Sequence, residues 1–164
     1  MKLDISNILD VQGMSEVVTA NVDLEQNGLM RENPFKAPIR IKLKAENHLG
    51  VVSLDCVYDF TLSFCCDRCL SPVEREQTLH FSHTAVRSLA GSENEEFMVL
   101  PDGILELSQL AANDILPEMP MQFLCDENCK GLCPRCGHNR NLGECGCPEE
   151  SALPKMNALS SFFE

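Results

Sequence analysis

Eight of the ten cysteines stand at spacings that suit a shared metal ion: Cys66-Asp-Arg-Cys69 in mid-chain, then Cys125, Cys129, Cys133, Cys136, Cys145 and Cys147 within one short stretch. Tetrahedral zinc takes four soft thiolates at about 2.3 Å, and a two-residue spacer lets one tight turn aim two sulfurs at one point. Two such pairs close a site, and a closed site dictates which distant segments meet. Disulfides would also account for an even count, but they belong to oxidising compartments and usually follow a secretory signal. Met1 to Asp10 has no basic start followed by an apolar run, and no stretch approaches the roughly twenty apolar residues of a membrane span. The expectation is a soluble, cytoplasmic chain with reduced thiols, no membrane partner and structural zinc, in two sites.

Two partitions of the sulfurs are open from spacing. In the favoured one, Cys133-Pro-Arg-Cys136-Gly137 forms a zinc-knuckle turn and Cys145-Gly-Cys147 completes a compact site. Cys125 and Cys129 then join Cys66 and Cys69, which pins the C-terminal segment to the mid-chain turn. The rival joins Cys66 and Cys69 to Cys133 and Cys136. Cys56 falls on an apolar strand face and reads as a buried thiol. Cys65 could replace Cys66 at a less apt spacing, and His138, inside the cysteine loop, is the only histidine that makes a spare ligand.

Periodicity predicts an α+β fold: an antiparallel β-rich core with one or two short helices and a C-terminal Cys-rich, zinc-ribbon-like segment. Ile39, Ile41 and Leu43 alternate with Arg40, Lys42 and Lys44, and Leu54, Cys56, Tyr58, Phe60, Leu62 and Phe64 alternate with polar residues. Both runs read as half-buried strands. Setting Glu46 opposite Val51 closes a four-residue loop, Asn47 to Gly50, and places Leu43 against Leu54, Ile41 against Cys56 and Lys42 against Asp55. A third strand is expected from Val73 to Val86, with Val73, Leu79, Phe81 and Ala85 on one face, so Cys66 to Pro72 forms a hairpin tip. Residues 88–96 read as a solvated acidic loop and Phe97 to Leu100 as a short strand before the turn at Pro101-Asp102-Gly103. Ser108 is the expected cap of a helix running to Ile115 and ended by Pro117 and Pro120. Met1 to Ile5 and Ser15 to Leu24 are further strand candidates. The domain reading is a core over 1–123, a metal-binding cluster over 124–147 and a tail over 148–164. Within that tail Leu153, Met156, Leu159, Phe162 and Phe163 suit a short amphipathic helix. The cluster is rich in Gly, Asn and Pro and nearly devoid of core-forming residues, so metal has to hold it.

With 164 residues, 44% of them hydrophobic, the chain can bury one core plus a metal-stapled appendage. Its net charge of −12 opposes broad phosphate binding, which draws on clustered Lys and Arg. Two four-thiolate zinc sites would deepen it to about −16. Enzymatic readings fail on missing parts. Cys129-x3-Cys133-x2-Cys136 has radical S-adenosylmethionine spacing, but too little chain follows it for the barrel such enzymes need. No His-x-Glu precedes the Pro-Cys-x-x-Cys of a deaminase, and Cys66 and Cys69 sit in a hairpin turn rather than at the strand-to-helix junction of a thioredoxin-like dithiol. Zinc saturated by four cysteines keeps no open position. The chain reads as no enzyme, with no small-molecule substrate.

Taken in order, Cys66-Asp-Arg-Cys69-Leu-Ser-Pro72, Leu116-Pro117-Glu-Met-Pro120, and Cys129-Lys-Gly-Leu-Cys133-Pro-Arg-Cys136-Gly with Asn141 and Cys145-Gly-Cys147 resemble the YceD family of large ribosomal RNA subunit accumulation proteins. The resemblance covers nearly the whole chain. It implies a non-catalytic factor for 23S ribosomal RNA synthesis, processing or stability, whose partner is 23S ribosomal RNA or a basic large-subunit ribosomal protein. The alternative is a zinc-ribbon adaptor that binds only protein. Candidate contacts are the strand face carrying Arg40, Lys42 and Lys44, along which Asp55 and Asp59 can absorb charge, and the ribbon turns carrying Lys130, Arg135 and Arg140.

Overall fold

The computed structural model describes residues 1–24, 33–88 and 97–147. The loop reading at 88–96, apart from Ser88, and the helical reading of the tail at 148–164 lie outside these residues. Chain order is β1 (Lys2–Asp4), α1 (Ser6–Asp10), β2 (Ser15–Val22), β3 (Ile39–His48), β4 (Val51–Cys65), β5 (Pro72–Val86), β6 (Phe97–Val99), β7 (Ile104–Glu106) and α2 (Leu107–Glu118). Strands β2-β3-β4-β5-β6 make one sheet and β1-β7 a two-stranded ribbon. All pairings are antiparallel except β5 with β6, which run parallel. Among the described residues the fold is mostly β, with two helices.

Alternation sets which face is buried. Ile39, Ile41, Leu43 and Ala45 on β3 and Val52 through Leu62 at even positions on β4 are buried. They form one cluster with Ile5, Ile8 and Leu9 near α1 and with Leu107, Leu110, Ala111 and Ile115 of α2. Burying side chains of this size contributes roughly 1.5–3 kcal/mol each, which holds α1 and α2 against one face of the sheet.

The β3–β4 hairpin departs from the expected register by two residues. His48 faces Val51, Leu43 faces Cys56, Ile41 faces Tyr58, and Asp55 opposes Lys44 rather than Lys42. The loop is only Leu49-Gly50, both at positive φ (58° and 88°), the primed turn that matches strand twist. Asn47, expected in the loop, is instead buried on β3. Its Nδ2 donates to the Ile8 and Leu9 carbonyls (2.6 and 3.1 Å), and its Oδ1 accepts from Gly50 N (2.9 Å). That polar anchor ties the hairpin end to α1 and satisfies carbonyls at the helix end.

Helix α2 also differs at both ends. Ser108 is not its cap: Glu106 occupies that position without a side-chain bond. Leu107 N instead donates to Met1 O (2.9 Å), and Ser108 Oγ accepts from the Met1 amino group. The partner strand of the β1-β7 ribbon thus does a cap's work. At the other end Pro117 lies inside the last turn. Met119 is extended (ψ 135°), as the residue before Pro120 must be.

Gly103 holds φ +66°, and a Cβ there would lie 2.7 Å from Ser6 Cα, where Ile5 N donates to Gly103 O at 2.8 Å. Gly103→Ala is expected to destabilise the chain by about 2 kcal/mol or more. Urea unfolding measures it, and a change under 0.5 kcal/mol would contradict this packing.

Candidate metal centres

The β4–β5 hairpin runs on past the last β3 pairing, Arg40 with Asp59, to a tip at Cys66–Ser71. Cys66 N donates to Ser71 O (2.9 Å) and Leu70 N to Cys66 O (2.8 Å), a tight turn that directs Cys66 and Cys69 to the same side. The C-terminal segment docks on it. Asp67 N donates to Phe123 O (2.8 Å), Phe123 N to Asp67 Oδ2 (2.7 Å) and Leu132 N to Arg68 O (3.1 Å). The Phe64 and Phe123 rings pack 4.8 Å apart. Gly131, at φ +70°, lets this approach happen, since a Cβ there would reach 3.0 Å from Arg68 O.

This docking brings Cys66, Cys69, Cys125 and Cys129 together. Cys133, Cys136, Cys145 and Cys147 form a second group, and in each the four sulfurs lie within 4.8 Å of one another. The sulfurs are therefore grouped as in the favoured partition, and Cys133 and Cys136 stand apart from the hairpin pair. A tetrahedron with 2.3 Å metal–sulfur bonds has sulfurs about 3.8 Å apart. Cys66 and Cys129 are separated by 3.8 Å, and Cys69 and Cys125 by 3.5 Å. The donor set fits a thiophilic cation such as zinc, which would supply a structural cross-link here. Cys65 is exposed and belongs to neither group; the hairpin alternation turns it away from Cys66. His138 contributes its carbonyl to Cys133 N (2.8 Å), and its ring is in neither group.

The surrounding groups favour negative sulfur. Burial raises the Cys66 thiol, but the amides of Cys125, Cys69 and Arg68 together outweigh it and bring the pKa to about 6. Amides of Cys136 and Arg135 bring Cys133 to about 6 as well. Cys125 and Cys147 are pushed up to about 12, first by hydrogen bonding to Cys129 and Cys136 respectively. Each group thus combines one thiol whose surroundings favour its thiolate with another held up by its sulfur neighbours, a donor set a divalent cation could bind by displacing protons. Outside the ligands, Asn141 Nδ2 donates to Cys129 Sγ (3.2 Å) while its Oδ1 accepts from Lys130 N (2.8 Å). Such partners orient thiolates and tune them.

The two Cys-x-x-Cys turns are alike. Gly137 N donates to Cys133 O (2.9 Å) at φ +72°, just as Leu70 N does to Cys66 O at φ +58°. Leucine in this left-handed region costs about 1–2 kcal/mol, while glycine loses about 0.5–1 kcal/mol in unfolded-state entropy. The side chain of Leu70 is exposed (64%), so little packing is at stake. Leu70→Gly is therefore expected to stabilise the metal-loaded chain by about 0.5 kcal/mol, readable by denaturant unfolding; a clear loss of stability would refute the equivalence of the turns.

A buried network was not anticipated. Tyr58 OH donates to Asp114 Oδ2 (2.5 Å), and His83 Nε2 lies 2.9 Å from the same oxygen. Cys56, as expected, is buried; burial pushes its thiol up to about 11. Asp114 falls four residues after Leu110 and three after Ala111, on the apolar stripe of α2. A lone carboxylate on such a stripe was the available signal.

The candidate contact residues occupy two separate surfaces. Arg40, Lys42 and Lys44 are exposed on the outer face of β3. Asp59 stands directly opposite Arg40, Val57 opposite Lys42 and Asp55 opposite Lys44, correcting the expected neighbours. The Lys44 ammonium pairs with Glu46 (2.7 Å), while Asp55 and Asp59 accept from Ser82 and Thr78 hydroxyls. Lys130, Arg135 and Arg140 are exposed on the cysteine-rich turns.

Among the described residues no helix is long and apolar enough to cross a membrane. In comparisons with known proteins, the model of a family described as large ribosomal RNA subunit accumulation protein YceD matches residues 54–163. That span takes in β4 from Leu54 on, β5, α2 and all eight clustered cysteines. No curated protein and no solved structure matches.

Proposed function

The chain belongs to the YceD family, and from that premise we propose that it is a non-catalytic, cytoplasmic ribosome-biogenesis factor supporting 23S ribosomal RNA synthesis, processing or stability. The family match, which spans both cysteine groups, carries the reading. Zinc fills both groups and acts as a cross-link: with four thiolates each, neither site keeps a coordination position for substrate. The residues holding it are Cys66, Cys69, Cys125 and Cys129 in one site and Cys133, Cys136, Cys145 and Cys147 in the other. The first site fixes the ribbon, residues 124–147, to the hairpin tip of the core over 1–123.

Selectivity for the large subunit follows from contact with 23S ribosomal RNA or with a basic large-subunit ribosomal protein. Lys130, Arg135 and Arg140, held on metal-stiffened turns, suit looped RNA. The acids beside Arg40 and Lys44 and the net charge of −12 favour the protein route, since phosphate contact over a wide surface would be repelled. A protein-only adaptor is the second reading this charge supports. Depletion of the chain from cells is expected to lower 23S ribosomal RNA while 16S ribosomal RNA is kept; equal loss of both, or of neither, would sink the assembly reading. Crosslinking and sequencing then separates the routes. RNA enrichment above that of an inert acidic protein supports direct contact, and its absence leaves the protein route.

A further inference from the structure

Strand β5 is paired along nearly its whole length on one side only. Its inner edge meets β4 from Pro72 to Ala85, but on the outer edge β6 takes only Thr84–Val86. Among the described residues no strand partners the outer edge from Pro72 to His83. A row of backbone donors and acceptors of that length is a template for another strand. The core face is also left unfinished there. Cys56, Tyr58 and Phe60 on β4 are buried, whereas their neighbours Phe81, Leu79 and Gln77 on β5 are only half-buried. Beside them lies a cavity of about 300 Å³ lined by Phe60, Leu62, Leu79, Met119 and Phe123.

Charge says what can settle on this edge. Glu74 and Glu76 are exposed on the opposite face of β5, and Glu118 and Glu127 border the cavity, with Arg75 as the one basic residue among its described lining. A second copy would bring another chain of net charge −12 to this edge, and nucleic acid would bring phosphates to Glu74 and Glu76; both are disfavoured. We infer that the free edge of β5 binds an extended, basic peptide segment of an assembly partner as an added strand. Apolar residues at alternate positions reach the cavity side, and the Lys or Arg residues between them meet Glu74 and Glu76. The inference rests on the assembly reading above and names the kind of partner that reading requires.

The test titrates the metal-loaded full chain with a synthetic peptide of about nine residues alternating Lys and Leu, a length the free edge spans. Hydrogen exchange should show new protection of amides within residues 73–82. Binding should weaken roughly tenfold or more when the peptide's alternate amides are N-methylated, and likewise in a Glu74→Lys/Glu76→Lys chain. Both side chains are exposed, so that variant keeps its fold, checked by its unfolding midpoint. Equal binding of the N-methylated peptide would overturn the inference, as would protection confined to residues 125–147 or displacement of the peptide by a short single-stranded RNA. Failure here leaves the 23S depletion experiment standing, because that reads the presence of the whole chain. An edge that binds peptide in a chain whose loss spares 23S ribosomal RNA would sink only the assembly reading.

Discussion

Metal analysis of the purified chain is expected to return two zinc ions, and chelation is expected to release residues 124–147 from the hairpin tip while the five-stranded sheet stays folded. The sheet has its own cluster of buried side chains, whereas the tip cluster consists of Cys66, Cys69 and Cys129 with only Leu124, Cys125 and Leu132 against it. Area this small cannot offset the ordering of more than twenty residues at roughly 1–2 kcal/mol each. Structural zinc in small peptides contributes an apparent 10–16 kcal/mol per ion, so two ions together supply roughly 20–32 kcal/mol, the scale of that cost. The site joining Cys69 to Cys125 closes a separation of 56 residues, so Cys129→Ser should free the segment from the hairpin while leaving the second site loaded. One zinc remaining and lost exchange protection around Phe123 would be the signature. Because the ligands bind as thiolates, affinity should fall as pH is lowered and protons compete for sulfur. In the loaded chain Cys65, which is exposed, should react quickly with a thiol reagent; Cys56, buried with its thiol near 11, should react only on unfolding. A single zinc with about six reactive thiols would contradict the two-site arrangement.

Asp114→Ala is expected to cost about 3 kcal/mol or more in urea unfolding of the metal-loaded chain. Asp114 is 5% exposed and Tyr58 fully buried, so truncating the acid strands a buried hydroxyl and removes the oxygen that His83 also contacts. Unsatisfied buried groups cost about 1–3 kcal/mol each, and more when a charged partner is lost. Tyr58→Phe should be milder, about 1–2 kcal/mol, because it removes a donor and leaves the acid its contact with His83. The double variant should cost less than the two single costs added, by 0.5–3 kcal/mol if the groups act as one network. Additive costs would show that the hydroxyl and carboxylate are not coupled.

The elements themselves were largely legible. Strict alternation over β3 and β4 predicts both strands and their buried faces, and the Cys66 to Pro72 turn follows from the run that resumes at Val73. Register was not legible, because a slip of two residues keeps every side chain on its face. The choice rests on Leu49-Gly50 adopting positive φ and on Asn47 reaching α1, a five-residue helix with too short a pattern to predict. The start of α2 was misplaced for a similar reason: Met1 O serves the Leu107 amide, a partner more than a hundred residues away that no local capping signal announces. Asp114 could be noticed on its stripe, but its partners Tyr58 and His83 lie on two other strands.

For the cysteines, the sequence by itself determined the donor chemistry on offer and the turns, because a two-residue spacer acts through a few neighbouring dihedrals. It left open which pairs come together. That was decided by the tertiary structure, where Phe123 and Leu132 bond to Asp67 and Arg68 and carry Cys125 and Cys129, not Cys133 and Cys136, to the hairpin tip. The outer edge that β5 leaves unpaired among the described residues is likewise a property of the assembled sheet. Short-range geometry is written residue by residue, whereas the meeting of distant segments depends on which loops close and which faces pack, and only the folded chain resolves that competition.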